Sequence, residues 1–382
     1  MSDQFPPLAD VRRDLRVQWY RCPIDPARLR ELMQRSDRGA WVQAGGHLAL
    51  FVATGLLVYL FWSRQLWLGF ALALFLHGTC ASFIPGLATH ELNHGTVFRT
   101  RWLNRAFLYG FCLMSWYDPF EYAVSHTYHH RYTLHPHGDR EVLLPLAPTV
   151  GSTFLLQLFT VNLLTRPKRT LGKGGLIPTL VGTVAAAIGV FGPAKIPSRE
   201  WLQALHRDQP EEERNSMWWA RLLLLFHGAV LVVSLANGLW VVPIIVSCFP
   251  FIANWLTYFV GLPMHCGLRD NVPDFRKCVR SITLPRFVEF LYWHMNWHTE
   301  HHMYAGVPCY NLGKLHREVA ADMPRPRTLV EAWREMRTIW RRQKSEPDYQ
   351  FDTPLPEGAG STTDHAPDAV EESIGELAPK GL

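Results

Sequence analysis

Residues 222–268 read LLLLFHGAVLVVSLANGLWVVPIIVSCFPFIANWLTYFVGLPMHCGL, 47 residues between Arg221 and Arg269 with no acid, lysine or arginine. A helix crossing a hydrocarbon core of ~30 Å needs about 20 residues. The run is therefore long enough to cross twice, and Asn237-Gly238 offers an uncharged turn between the halves. Working outward, Trp41–Trp62 and Gln65–Thr89 are also free of charge, and only Ser63-Arg64 joins them. The expected fold is an all-α integral membrane protein with four transmembrane helices arranged as two hairpins.

Charge beside these runs sets an orientation. The first 40 residues carry eight arginines against six acids, and Arg99, Arg101, Arg105, Arg131 and Arg140 follow the second run. Arg221 precedes the third, and Arg269, Arg276, Lys277 and Arg280 follow it. The positive-inside rule puts both termini and every segment following a hairpin in the cytoplasm. The net charge of +5 conceals a tail at 345–382 with nine acids and one lysine, leaving the rest basic. Positive charge beside spans is the ordinary complement of anionic headgroups, so it is no argument for nucleic acid.

The domain expectation is a cytoplasmic N-terminal arm at 1–40, a spanning and cap domain at 41–342 and a disordered acidic tail at 343–382. The tail's Pro, Gly, Ser, Thr and acids lack the apolar content to fold. Within the arm, Asp25-Pro26 reads as a helix start. Between Glu141 and Ile196, apolar stretches broken by Pro145, Pro148 and Pro178 are expected to be interfacial or re-entrant rather than crossing. The seven cysteines show no CxxC pair, which signals neither a disulfide framework nor a thiolate metal site.

Three boxes carry the chemistry: His90-Glu91-Leu92-Asn93-His94, His126-Thr127-Tyr128-His129-His130 and His298-Thr299-Glu300-His301-His302. They hold eight of the 18 histidines. Helical positions i, i+3 and i+4 share a face, so each box presents its imidazoles together. The charge pattern puts all three boxes on one side of the membrane. Imidazole suits iron, zinc, copper or nickel. Eight ligands exceed the four of one zinc, and two metals in a shared imidazole shell fit the count. His265, at the end of the fourth run, is at the same depth and reads as a further ligand or a headgroup anchor. His77 and His227 lie within runs and read as interhelical hydrogen bonds. Glu91 and Glu300 point off the ligand face at helical spacing, Asn93 and Asn296 can reach an imidazole or a metal-bound water, and Asp139 can fix a tautomer.

The order HxxxH, HxxHH, HxxHH between paired spans resembles the membrane fatty acid desaturase and hydroxylase superfamily, which includes the alkane hydroxylases. The resemblance covers roughly residues 41–330. It implies four spans, a helical cytoplasmic cap and two iron ions held by His90, His94, His126, His129, His130, His298, His301 and His302. His265-Cys266-Gly267-Leu268 is similar to a stretch of the hydroxylase branch, which implies that His265 is a ninth ligand. It further implies O2 as co-substrate, an apolar or lipid substrate, and a separate electron donor of ferredoxin, rubredoxin or cytochrome b5 type. Desaturation of a fatty-acyl chain is the expected reaction and hydroxylation of an alkyl substrate the alternative. A zinc hydrolase would need fewer ligands, and a metal carrier would spread them along the spans.

Overall fold

The computed structural model describes residues 5–166, 174–190 and 197–361. The chain is mostly helical, and the only sheet among the described residues is a two-residue parallel ladder pairing Ile282 with Arg327 and Thr283 with Thr328. Three helices are long and apolar enough to cross a membrane: Asp37–Ser63, Trp67–Asn93 and Pro210–Ala236. They leave large apolar side chains uncovered, including Leu68 at 76% and Leu225 at 70% exposure, as helices bathed in lipid do.

The first two form the expected hairpin, reversing at Arg64–Leu66 with Gln65 at φ +56. Buried histidines tie them from inside. His47 Nε2 lies 3.1 Å from the Cys80 carbonyl and His77 Nδ1 2.8 Å from Thr54 Oγ1. In an apolar surrounding such bonds leave no polar group unsatisfied. The third helix ends at Asn237 with Gly238 at φ +70, the turn read from the sequence.

The return from that turn departs from expectation. In place of one spanning helix the structure has Val241–Val246, a 3₁₀ turn at Phe249–Phe251, then Trp255–Gly261 and a second 3₁₀ turn at Leu262–Met264. Pro243, Pro250 and Pro263 each remove a backbone donor, and Ala253 takes φ +45 between the pieces. The second helix of the hairpin is broken nearby, with Pro85 at ψ 130 and Gly86 at φ +87. The two interrupted segments interlock where a Cβ on Gly78 would stand 2.3 Å from the Ile252 carbonyl oxygen.

In the ambiguous region, the helices Ser152–Phe159 and Leu176–Ala187 are 8 and 12 residues long, both short of a crossing. The second lies along the third long helix, where Arg221 Nε donates to the Ala187 carbonyl at 2.9 Å. Residues 167–173 and 191–196 of that region lie outside the described residues.

The remaining helices gather at the Asn93 end of the first hairpin. The arm contributes Pro26–Leu32, capped by the Asp25 carboxylate at 3.2 Å from Ala27 N. It also sends Tyr20 Oη to Asp322 at 2.6 Å. From the other terminus, residues assigned to the tail by composition lie against the same region. Lys277 Nζ donates to the Thr353 carbonyl at 2.7 Å, and Gly360 N to Asp322 at 2.8 Å. Residues 362–382 are outside the described residues.

Candidate metal centre

Four segments bring nine imidazoles together. The break at Pro85-Gly86 redirects the chain into a short helix Thr89–Asn93, with the Gly86 N–H donating to Thr89 Oγ1 at 2.9 Å. That turn carries His90 and, at its C-cap, His94. Asp118 accepts from Phe120 N at 2.8 Å and Pro119 occupies the first turn, starting the helix Pro119–Tyr132 that carries His126, His129 and His130. The helix His298–Met303 holds the third box. Ser281 fixes its first turn by accepting from Thr299 N at 3.1 Å. His265 follows the 3₁₀ turn Leu262–Met264.

The imidazoles separate into two groups, His90, His94, His126, His130 and His301 in one and His129, His265, His298 and His302 in the other. Within each group, one ligand nitrogen from every residue lies within 4.8 Å of all the rest. Each HxxHH box is split: the i, i+4 pair serves one group and the i+3 residue the other. A helical face of that width spans two adjacent positions rather than one. The groups touch where the His130 and His302 rings stack at 4.4 Å.

The inward nitrogens identify what the centre accommodates. His126 Nε2 and His130 Nε2 are 2.9 Å apart, His130 Nε2 and His301 Nε2 3.2 Å, His265 Nε2 and His298 Nε2 3.1 Å, and His298 Nε2 and His302 Nε2 3.2 Å. His90 Nε2 and His94 Nε2 are buried with no hydrogen-bond partner. A proton on His130 Nε2 can serve one of its two neighbours only. Facing lone pairs, buried and short of protons, are what a cation at the middle of each group would satisfy.

Six of the outward nitrogens face oxygens, while Nδ1 of His130 and of His298 is buried without a hydrogen-bond partner. Asp139 stands 2.9 Å from His129 Nδ1, Glu141 3.2 Å from His126 Nδ1, and Glu91 3.0 Å from His90 Nδ1 and 3.4 Å from His301 Nδ1. The Cys278 carbonyl and Thr133 Oγ1 lie 3.1 Å from Nδ1 of His265 and His302. A proton kept on Nδ1 turns Nε2 into a lone-pair donor, which is how ligating histidines are oriented. Burial and the neighbouring imidazoles push His94 down to about 3 and hold His126, His130, His298, His301 and His302 well below their ordinary value. These rings are therefore neutral near pH 7, the form that binds metal. Burial pushes the Glu141 carboxyl up to about 7 despite His129. Asp139, Glu141 and Glu91 are thus the carboxyl groups nearest the ligand nitrogens.

Of the residues singled out beside the boxes, Asp139 and Glu91 meet imidazoles. Glu300 does not. Its oxygens go to Ser281 Oγ at 2.6 Å and to His316 Nδ1. Asn93 donates to the Pro119 carbonyl at 3.4 Å and Asn296 to that of Ile282 at 3.0 Å, ties that place segments rather than ligands. His77 Nε2 also donates to the Ile245 carbonyl, 3.1 Å away, and His227 sits between Ser247 Oγ at 2.8 Å and the Leu113 carbonyl at 2.9 Å. Glu141 went unread in the sequence, although it lies two residues after Asp139 and the Glu141 N–H donates to Asp139 at 2.9 Å.

The sequence model of the family described as fatty acid desaturase matches residues 65–333, about 70% of the chain. That interval takes in all nine histidines. No curated protein matches the chain.

Proposed function

Because the chain belongs to the fatty acid desaturase family, we propose that its two histidine groups hold one iron each and that the protein is a membrane di-iron oxygenase oxidising an unactivated C–H bond of a fatty-acyl or other lipid chain. The observation carrying this reading is the convergence of Nε2 lone pairs, 2.9–3.2 Å apart, from three separate segments, with the buried, unpartnered Nε2 atoms of His90 and His94 from a fourth. His90, His94, His126, His130 and His301 are the ligands of one ion, and His129, His265, His298 and His302 those of the other. When bound, the irons supply the one-electron steps that O2 needs to attack such a bond. Glu91, Asp139 and Glu141 hold the Nδ1 protons and set the ring orientations. Shells of this kind are worth 10–100-fold in metal affinity. The buried surroundings keep water from the reacting atoms.

The body at 41–342 crosses the membrane four times, the broken return at 241–264 making the fourth crossing. The histidine-bearing helices form a cytoplasmic cap, both termini share its side, and electrons come from a separate protein. The interruptions at Pro85-Gly86 and at 247–254 are tolerated at that depth because protein covers them on both sides.

Desaturation is the favoured outcome, on the family. A second reading, hydroxylation, is favoured by His265, which stands among the second group of ligands in a stretch similar to the hydroxylase branch. Incubating the reconstituted enzyme with a lipid extract, O2 and a reducing system, then weighing the products by mass spectrometry, separates the two. Loss of two hydrogens supports desaturation and gain of one oxygen hydroxylation. Unchanged lipids from an enzyme holding two reducible irons would contradict both.

A further inference from the structure

The iron-dependent reading leaves open where electrons enter, and a series of neighbouring rings, two of its three contacts stacked, runs from the surface to the centre. Trp19, on the N-terminal arm and partly exposed, lies face to face on Phe275 with centroids 4.0 Å apart and planes 8° from parallel. Phe275, at 1% exposure, is 5.6 Å from the His302 ring, and His302 stacks on His130 at 4.4 Å. The series therefore passes from solvent to a member of the second group and on to a member of the first.

The arm is fixed where this requires it. Trp19 Nε1 donates to the Arg131 carbonyl at 2.9 Å, Tyr20 N to that of Pro273 at 2.9 Å, and Tyr20 Oη to Asp322. Arg131, whose carbonyl accepts from the indole, and Arg16, three residues before Trp19, are both exposed, and neither makes an ion pair among the described residues. An apolar ring edge beside unpaired cations suits a partner whose redox group lies close to an acidic surface. Complementary charge of this kind steers encounter and fixes orientation.

Resting on the di-iron reading, we infer that Trp19 marks the docking point of a small acidic one-electron carrier, and that Trp19, Phe275 and His302 form the path by which its electrons reach both ions. Each passage oxidises the carrier's iron–sulfur centre by one electron and reduces a metal at the histidine centre by one, with no bond made or broken along the rings. Tunnelling decays steeply with the gap to be crossed, so stacked rings outcompete the surrounding aliphatic packing. Trp19 and Phe275 are positioning residues here and touch neither substrate nor metal.

The test uses the full chain in detergent, loaded with iron, mixed without O2 against an acidic [2Fe–2S] ferredoxin reduced beforehand, with the bleaching of the reduced carrier reversed as it gives up its electron. The account expects wild type to reoxidise the carrier and Trp19→Leu to do so several-fold more slowly. Iron content, thermal midpoint and direct reduction by dithionite should be unchanged in that variant, and Trp19→Phe, which keeps the stack, should recover most of the rate. Arg131→Glu should weaken carrier binding by about tenfold at low salt and lose most of that effect at high salt. Equal rates in wild type and Trp19→Leu would overturn the path, and unchanged affinity of Arg131→Glu, or no reoxidation by wild type, would overturn the docking point. A centre that takes up no iron, or that dithionite cannot reduce, would overturn the di-iron reading itself, so the failures are distinguishable.

Discussion

Asp139 accepts from three groups at once: the His129 ring at 2.9 Å, Leu134 N at 2.8 Å and Glu141 N at 2.9 Å. The backbone donors stabilise its charge, and His129 and Asp139 stabilise each other's charged forms against the cost of burial. Asp139→Asn keeps the shape and removes the charge, so iron affinity should fall 10–100-fold, read as metal retained after dialysis against a graded chelator. The imidazoles also give the metal-free protein an acid limit. His94 stands at about 3 folded against 6.5 for a free ring. A depressed value means that the unfolded chain binds more protons between those pHs. The contribution is thus fully present above pH 6.5 and lost as pH falls toward 3. Thermal midpoints of metal-free protein should drop across that window, and a flat profile would contradict the neutral-ring assignment. At this scale the box spelling announced all eight box histidines as one-sided sets. It did not show that each HxxHH set would divide between two groups, since i, i+3 and i+4 cover a wide face and only the neighbouring segments decide which ring looks where. Glu141 was illegible because a carboxylate reaches His126 by tertiary approach across 15 residues, with no helical periodicity to mark it.

Proline and glycine decide the behaviour of the elements. Gly86 sits at φ +87 with open space where a Cβ would go, so Gly86→Ala should cost about 1 kcal/mol of backbone strain alone. Gly78 is the opposite case, with ordinary backbone but the Ile252 carbonyl oxygen 2.3 Å from a new Cβ. There the backbone of the broken return must shift, and Gly78→Ala should cost about 1–3 kcal/mol. Gly182, in the helix Leu176–Ala187 with nothing within 4 Å, is the control, and alanine there should be neutral or stabilising by about 0.5 kcal/mol. Thermal unfolding in one detergent ranks the three. Uncharged length predicted the hairpin and the long third helix correctly, because apolar length alone fixes where a chain can lie in lipid. The same measure mistook the return for a continuous helix. Its three prolines were visible in the sequence, but whether a proline kinks a helix or ends it depends on what covers the freed carbonyls.

Across the whole molecule, Tyr20 from the N-terminal part and Thr353 and Gly360 from the C-terminal part of the described residues dock onto one region, at Asp322 and Lys277. Arg276, wholly buried, donates to Asp274, Asp322 and the Gly360 carbonyl and lies 3.8 Å from the Tyr20 ring centroid. Arg269 and Lys277 both reach Asp352, at 3.1 and 2.9 Å. Truncation after Ser345 removes one of the three acceptor residues of a buried guanidinium and two ion pairs, and leaving a buried donor proton unmatched costs about 1–3 kcal/mol. The shortened protein should melt earlier and lose iron more readily, and unchanged values would show that the segment is not part of the working fold. Composition gave no sign of this clasp, because its bonds are backbone carbonyls and single acids docking onto cations made elsewhere in the chain. The central claim is that nine histidines from four segments enclose two irons, and metal analysis of the protein purified from iron-replete cells tests it most directly. Two irons per chain is the predicted result, one for each group of histidines. A single zinc with no iron would contradict it.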